Sequence, residues 1–451
     1  MPPESPRPDP TAEARSTLDA LGRLRGRSDA PSAEELRRRA QALLEARFGA
    51  ATQRHGAAAD GFGRGAVGLP AGHTHYSDGF AVLAPLDRGA AVALRRAPAS
   101  EAPFRLAFEE TADEASSAQR EPDDAPPREA RAAQAVVEAF LSAAAAAAVP
   151  PVEAALVSAV PPACFDARLA ALGVAAARAA IALAKGGESA PPQPAGEGEH
   201  DDAVERVRAT LAEGAGVPVG RAPVQAAAYD APPNASSPRW LLADTTARER
   251  LAFEAPDGDA LSCGLVMLGD SGDTRADPET RLNDGTLVQP PAFHHRRRRQ
   301  ADRALRVLRE DDDAFAGLTA FRDLEHRDLD RAEHLLPPAL GPVARHLITE
   351  NRRTGKLVRA ARRGDGQLLG ALLLMSHTSL QEDWQSTAAP QDALASAAED
   401  AGIDGLYGAR ATGRGPAVLI AGRAAALPRF FRHATRLLAD RFDRPAETML
   451  L

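Results

Sequence analysis

Cysteine, lysine and aromatic side chains are scarce in this chain of 451 residues. Its two cysteines, Cys164 and Cys263, give no basis for a disulfide framework or a thiolate metal site. Because aromatic residues make up only 4% of the chain, the cores must be built mainly from Ala, Leu and Val. Lys185 and Lys356 are the only lysines, so arginine supplies nearly all the positive charge, a bias typical of genome composition.

The sequence also shows no apolar leader and no uninterrupted apolar run of membrane-spanning length. Residues 1–10 are polar and rich in proline, and they lack the apolar centre of a signal peptide. The most apolar stretch, Ala135–Val160, is broken by Pro150 and Pro151 and contains Glu138 and Glu153. A net charge of −8 argues against general nucleic-acid affinity. We therefore expect a soluble cytoplasmic protein whose partners include neither nucleic acid nor a membrane.

What is present is the composition of a globular protein, with 44% hydrophobic and 26% charged residues, and enough length for two domains. Residues 1–30 are predicted to be a disordered tail. An N-terminal domain is expected over 31–240 and a C-terminal domain over 241–451. The low-complexity segment 186–202 is predicted to be a disordered insertion within the first domain.

The pattern of helices and strands indicates an α+β fold. Ser32, with Glu35 three residues later, forms the capping-box pattern that starts a helix. Gly61–Arg95 is typical of hairpin-like strands, with a turn expected at Asp87–Gly89. Helices are expected later, for example over Arg296–Leu308. Because strands and helices do not alternate regularly, a doubly wound parallel sheet is not expected.

Five segments, in order, resemble the conserved motifs of galactokinases, which belong to the GHMP small-molecule kinases. They are GHTHYSDGF (72–80), GVPVGRAPVQ (216–225), GDSGDTR with FHHRRRRQ (269–275 and 293–300), VARHLITENRR with SHTSLQEDW (343–353 and 376–384), and LYGARATGRGPAVLI (406–420). The resemblance implies a two-domain GHMP kinase fold with the ligand cleft between the N-terminal and C-terminal domains. It also implies ATP and Mg²⁺ as cofactors of an active enzyme, and a hexose such as galactose as the ligand.

The phosphate-binding parts of the family depart from their pattern here. The stretch that matches the Gly/Ser-rich phosphate loop, Val157–Ala175, carries Asp166 and Arg168 where small residues are expected. The negative charge of an aspartate at this place would repel a triphosphate. The position of the family's metal-binding Glu falls on Gly173. The C-terminal Gly-rich motif keeps Gly413 and Gly415, which the resemblance assigns to nucleotide binding. Its neighbouring positions are changed, among them Arg414.

The catalytic positions also differ from the family's. Pro223 or Val224, depending on a one-residue gap, takes the place of the catalytic Asp, and neither accepts a proton. Asp230 lies nearby but at the wrong spacing, so no base is identified. The family's catalytic Arg falls on Ala66 in an ungapped alignment, or on Arg64 after a two-residue insertion.

The sugar site retains little of the family pattern. The positions that grip hexose hydroxyls in galactokinases fall on Gly72, His73, His75 and Phe293, so only His73 is kept. Together with Gly220 of the second segment, His73 makes up the predicted substrate-binding set. His73 and His75 also invite a metal-site hypothesis, although no third ligand is evident, so no metal site is predicted. The run Arg296–Arg299 is expected to be a solvated helix face.

Three functions remain open at this point. The first is a non-catalytic or strongly impaired galactokinase paralogue that acts by binding, with a protein partner as one candidate ligand beside the hexose. The second is an active sugar kinase with a rearranged site built from Arg64, His73, Asp270 and Ser271, in which Asp166 or Asp270 serves the metal or the proton. The third is an interaction scaffold that binds no small molecule.

Overall fold

The structure is a computed structural model that describes most of the chain. The described residues are 30–50, 57–70, 73–97, 104–110, 128–144, 151–186, 197–229, 239–256, 259–269 and 289–451. The predicted disordered tail and residues 187–196 of the predicted insertion therefore lie outside the described residues, apart from residue 30. Residues 197–202 belong instead to a helix that spans Glu197–Ala215, so the prediction of disorder is wrong for them.

Helices and strands follow one another irregularly, and the predicted α+β class is confirmed. The helices are α1 (Ala33–Phe48), α2 (Arg128–Ala144), α3 (Phe165–Ala184), α4 (Glu197–Ala215), α5 (Arg221–Ala227), α6 (Pro291–Asp311), α7 (Leu329–Leu335), α8 (Gly341–Arg363), α9 (Gly366–Ser379), α10 (Ala389–Asp400) and α11 (Leu427–Phe442). The strands are β1 (Ala59–Gly68), β2 (Phe80–Arg96), β3 (Phe104–Glu110), β4 (Val152–Ser158), β5 (Arg239–Asp244), β6 (Glu249–Glu254), β7 (Ser262–Leu268), β8 (Leu406–Thr412), β9 (Ala417–Gly422) and β10 (Ala446–Leu450).

Helix α1 begins where its sequence predicts. The hydroxyl of Ser32 accepts a hydrogen bond from the backbone N–H of Glu35 at 3.1 Å, which satisfies one of the free donors of the first turn. Leu36, Ala40 and Leu44 are buried on one face of the helix, which packs on the first sheet. The predicted start of this helix is confirmed.

The first sheet is built around the long strand β2. Among the described residues its strand order is β3-β4-β2-β5-β6, and β1 also pairs with β2. The pairing of β1 with β2 shifts register between Arg64 and Ala66, which face Gly89 and Pro85 respectively. Asp87–Gly89, predicted to be a turn, therefore lies in a bulge inside a continuous strand. A bulge accommodates such turn-forming residues without ending the pairing.

Helix α3 crosses this sheet in very close contact with β1. A Cβ added at Gly63 would lie 2.1 Å from the carbonyl oxygen of Ala171, and one added at Gly61 would lie 2.2 Å from that of Ala175. The glycines of β1 are thus needed for close packing of strand and helix. In the described part of the chain, α3 alone is long and apolar enough to cross a membrane. However, 83% of its apolar window is buried inside the protein, as in a core helix.

The second sheet has the order β10-β7-β9-β8, with antiparallel pairing throughout. Because β5 and β6 belong to the first sheet, the chain passes from one sheet to the other between Glu254 and Ser262. The domain boundary predicted at residues 240 and 241 falls inside β5 instead. Strands β6 and β10 were not predicted, because their side chains are mostly exposed or half-buried and neither strand shows a clear alternation of apolar and polar residues.

A buried polar network joins the helix pair α8–α9 to both sheets. Arg410 of β8 donates hydrogen bonds to Ser376 Oγ at 2.6 Å and to the backbone oxygen of Leu69 at 2.7 Å, and it pairs with Glu350 at 3.3 Å. Burial alone would raise the pKa of Glu350, but the charges of Arg410 and Arg353 lower it to about 2. The network keeps a charged pair satisfied at the junction from which the cleft opens.

Candidate active site

A narrow cavity lies where β1, α3, α5 and the turn between β8 and β9 meet. It encloses about 30 Å³. Its lining residues are Ala66, Gly68, His73, His75, Leu83, Asp166, Pro223, Leu380, Arg410 and Gly413. A water molecule needs about 10–15 Å³ on this scale, whereas small-molecule sites span about 300–1,000 Å³. The cavity therefore admits about two water molecules and is closed to a hexose or a nucleotide in this conformation.

The N-terminus of α3 points at this cavity. Strand β4 ends at Ser158, and a turn in which Cys164 N–H bonds to the backbone oxygen of Pro161 leads into the helix. Cys164 is the N-cap residue but makes no side-chain cap, and burial raises the pKa of its thiol to about 12. Asp166 lies in the first turn, where a carboxylate interacts favourably with the helix dipole. Sequence similarity predicted the phosphate loop at this end of α3.

Arg414, from the turn between β8 and β9, forms an ion pair with Asp166. Its Nε donates to Asp166 Oδ1 at 2.8 Å, its backbone N–H donates to Oδ2 at 3.0 Å, and its Nη2 also contacts Oδ1. Nη1 donates to the backbone oxygen of Pro218 at 2.6 Å. The Arg414 side chain is only 2% exposed. Burial alone would raise the pKa of Asp166, but the charge and hydrogen bonds of Arg414 outweigh it and hold that pKa below its usual value.

Gly413 and Gly415, predicted to bind nucleotide, place Arg414 in this position. Gly413 adopts a left-handed backbone with φ of 65°, which glycine tolerates without strain. A Cβ at Gly415 would lie 1.9 Å from the backbone oxygen of Ala163 and 3.2 Å from the backbone nitrogen of Phe165. The turn therefore packs directly over the end of α3, where phosphate oxygens would need access to the backbone N–H groups.

The position of the family's proton acceptor carries no acid. Pro223 lines the cavity, whereas Val224 points into the hydrophobic core and is fully buried. Of the two alignments left open by the sequence, the geometry places Pro223 at the cleft. Asp230 lies outside the described residues, as do Asp270 and Ser271.

Of the two candidate positions for the catalytic cation, one lines the cavity and the other does not. Ala66 lines the cavity, and Arg64, on the other side of the register shift in β1, is absent from its lining. The glycine that precedes Arg64, Gly63, is explained by its close contact with α3. The structure thus brings the ungapped candidate, Ala66, to the cavity and leaves Arg64 outside it.

The predicted sugar-binding residues lie in a histidine-rich wall of the cleft. His73 has a left-handed backbone, with φ of 63°, and its ring stacks on Trp384 with centroids 5.1 Å apart. His294 lies 5.8 Å from His73 between ring centroids. Gly220, the N-cap of α5, makes room for His75, since a Cβ there would lie 1.8 Å from the imidazole Cδ2. The structure therefore brings His73, His75 and Gly220 together.

His73 and His294 are buried and neutral. Burial lowers the pKa of His73 well below 6.5, and the neighbouring imidazoles of His294 and His346 disfavour its protonation further. Burial and Arg414 lower the pKa of His294 to about 3, although Asp166 acts in the opposite direction. Among the described residues, no three His, Cys, Asp or Glu side chains are grouped so that they could hold a metal ion.

The residues present do not fit Mg²⁺-ATP. Gly173, the position at which the resemblance predicts a metal-binding Glu, carries no ligand, and an added Cβ there would lie 2.6 Å from Leu211 in the contact between α3 and α4. The end of α3 is covered by the turn that carries Arg414, and the carboxylate of Asp166 occupies the position next to it. In this conformation the cradle is filled by the chain's own ion pair.

Asp166 and Arg414 were each identified from the sequence as unusual, but the ion pair between them was not predicted. The signal was available, because residues of opposite charge replace small residues at two positions that the family directs toward the same ligand. The burial of Arg297 was not predicted either. Its Nη2 donates a hydrogen bond to Gln385 Oε1 at 2.6 Å. The predicted solvated face of Arg296–Arg299 therefore needs correction at that residue, which points inward because it lies one turn after the buried Phe293.

Comparison with known proteins points to one lineage. The galactokinase of Chloroflexus aggregans is 38% identical over 122 residues, which are 27% of this chain and 30% of that protein. Human galactokinase is 34% identical over 119 residues, which are 26% of this chain and 28% of that protein. The match therefore spans less than a third of the length of these relatives. No protein-family profile matches the chain.

The fold agrees over a much larger part of the chain. The crystal structure of Lactococcus lactis galactokinase complexed with galactose superposes with a TM-score of 0.67. The superposition covers 90% of this chain and 95% of that protein, at 17% sequence identity. One segment of the chain is thus similar to galactokinases, and the chain shares the two-domain α+β fold of Lactococcus lactis galactokinase.

Proposed function

We propose that this chain is a galactokinase-lineage protein that does not transfer phosphate at a galactokinase rate and acts by binding. The observation that carries the proposal is Pro223 on the cavity wall, where the family places its proton acceptor. Loss of a general base alone lowers a rate by about 10²–10⁴. Ala66 at the position of the catalytic cation removes a second contribution.

The charge of the cleft supports the same proposal. Asp166 has a lowered pKa and is ionised at neutral pH. If Arg414 were displaced, a phosphate 4 Å from this carboxylate would meet a repulsion of about 4 kcal/mol per pair of unit charges at an effective dielectric constant near 20. Binding of a nucleotide therefore has to overcome both the ion pair and this repulsion.

The alternative is an active sugar kinase with a rearranged site. Within the described residues, Asp166 is the one carboxylate that lines the cavity, so it is the candidate base. Its lowered pKa makes it a weak proton acceptor, because an efficient base has a pKa near the working pH. The geometry therefore favours the non-catalytic proposal.

The ligand proposed for the wall of His73 and Gly220 is a hexose such as galactose, which the Lactococcus lactis relative holds in its structure. Because the cavity encloses only about 30 Å³, a hexose would bind only after α5 and the turn at Arg414 move apart. A protein partner that binds the closed form is the second candidate.

The test combines turnover with binding. ATP-dependent phosphorylation of galactose and other hexoses is measured beside Lactococcus lactis galactokinase as the active standard. We expect a kcat/KM at least about 10⁴-fold lower. Thermal unfolding is then recorded with galactose and with Mg²⁺-ATP, and a rise in the midpoint with galactose alone would support a sugar-binding role. Turnover near that of the standard, reduced at least about 100-fold by Asp166→Asn, would establish the active alternative instead.

A further inference from the structure

The contact between Asp166 and Arg414 has the features of a bound anion. The carboxylate lies in the first turn of the 20-residue helix α3, whose N-cap residue contributes no side-chain hydrogen bond. It accepts hydrogen bonds from the Nε and the backbone N–H of Arg414, and it also contacts Nη2. A helix N-terminus combined with a buried guanidinium is an arrangement that binds phosphate oxygens in many proteins.

We propose that the chain fills its own phosphate site: the Asp166 carboxylate replaces a phosphate group and holds Arg414 and its turn against α3. The proposal concerns the same cleft as the proposed function and adds the ligand class that this end of the cleft recognises, an oxyanion. Its test does not depend on turnover. The self-filled phosphate site can therefore be refuted while the proposed lack of catalysis stands, and the lack of catalysis can be refuted while the self-filled site stands.

The consequence is a site that becomes available when the carboxylate is removed. In Asp166→Ser, the Nε, Nη2 and backbone N–H of Arg414 lose their acceptor, while Nη1 keeps the backbone oxygen of Pro218. Three donors are then directed at a space next to a helix N-terminus from which a negative charge has been removed. An inorganic phosphate ion supplies the missing charge and the missing acceptors.

The turn that carries Arg414 is built to hold this geometry without the carboxylate. Gly413 and Gly415 fix its backbone, and Gly415 packs on the loop before α3. The guanidinium is also anchored at Pro218. The donors are therefore expected to stay in place in the variant rather than turn toward solvent.

The experiment measures binding of inorganic phosphate to the full chain by isothermal titration calorimetry, with ionic strength held constant by sodium chloride. We expect no measurable binding to the wild type and at least a tenfold gain in affinity in Asp166→Ser. At about tenfold excess of phosphate over Kd, the thermal midpoint of the variant should rise by roughly 1–2 °C.

Two control variants separate a built site from general charge effects. Asp166→Ser/Arg414→Gln also removes the guanidinium donors of Arg414 and should lose the phosphate affinity that the single variant gains. Asp244→Ser frees Arg322, whose ion pair lies on other elements, and should gain no phosphate binding. Each variant is compared with the wild type by circular dichroism before titration.

If Asp166→Ser does not fold, the isosteric Asp166→Asn provides the same test with less disturbance. Folded variants whose phosphate affinity lies within threefold of the wild type would overturn the proposal. So would a double variant that binds phosphate as tightly as the single one, because Arg414 would then have no part in the site.

Discussion

The neutral histidine wall of the cleft makes stability depend on pH in a way that can be calculated. His294 is 1% exposed, and burial together with Arg414 lowers its pKa from 6.5 to about 3. The charged groups that act on this pKa are Arg414 and His295, which lower it, and Asp166, which raises it; the ring of His73 lies 5.8 Å away. A backbone hydrogen bond with Gln289 and the charge of Asp166 act in the opposite direction, but they do not outweigh burial. Protonation of the folded state is therefore strongly disfavoured.

The sign of the change in stability with pH follows from the linkage between proton binding and folding. The unfolded chain binds a proton at His294 below pH 6.5, while the folded chain binds it only near pH 3, so stability falls as pH drops through this window. Between pH 7.5 and pH 5 this single group removes about 2 kcal/mol from the free energy of unfolding. His73, whose pKa is also lowered, adds a loss of the same sign. Asp166 and Glu350 do not contribute here, because their pKa values are lowered and both stay ionised at pH 5.

The assay is urea-induced unfolding at pH 7.5 and pH 5, followed by circular dichroism. In His294→Gln the loss of stability between the two pH values should be smaller than in the wild type by about 2 kcal/mol. The same substitution at exposed His326 is the matched control for the change of side chain. If His294→Gln loses as much stability on acidification as the wild type, the buried neutral state of His294 is not the cause and the reasoning fails.

Three substitutions test the packing around the cleft by urea-induced unfolding at neutral pH. Glu350→Ala leaves Arg410 buried without its carboxylate and should cost about 3–5 kcal/mol; a cost below about 1 kcal/mol would contradict the buried network. Gly220→Ala places a Cβ 1.8 Å from the His75 ring and should cost about 1–3 kcal/mol, with unchanged stability as the contrary result. Gly370→Ala places a Cβ 2.1 Å from a backbone oxygen of β8 and should lower the free energy of unfolding by about 1–3 kcal/mol. Unchanged stability would show that α9 is not held in close contact with the strand.

Much of the fold could be predicted from local sequence signals. The start of α1 follows from Ser32 because a hydroxyl at that position satisfies a free N–H of the first turn. The helices of the second half follow from apolar spacing, and α6 is simply longer than expected because Pro291 is favourable in a first turn. By contrast, the bulge at Asp87–Gly89 is decided by pairing with β1, and residues distant in sequence determine that pairing.

The site was harder to predict than the fold, because its geometry depends on contacts between distant parts of the chain. Position 166 could be recognised as unusual, but its partner lies 248 residues away. The choice between Pro223 and Val224 required the orientation of a short helix, which an alignment with one gap leaves open. The choice between Arg64 and Ala66 required the register shift in β1, for which the sequence carries no separate signal.

The physical cost of a buried charge connects these departures from the family pattern. An aspartate at the end of α3 without Arg414, or Arg414 without that aspartate, would leave an unpaired charge in a nearly dry cleft, at a cost of about 3–5 kcal/mol. Together the two residues satisfy each other and also close the space that a phosphate would need. The two substitutions are therefore one structural unit. The chain thereby completes this end of the cleft with its own side chains.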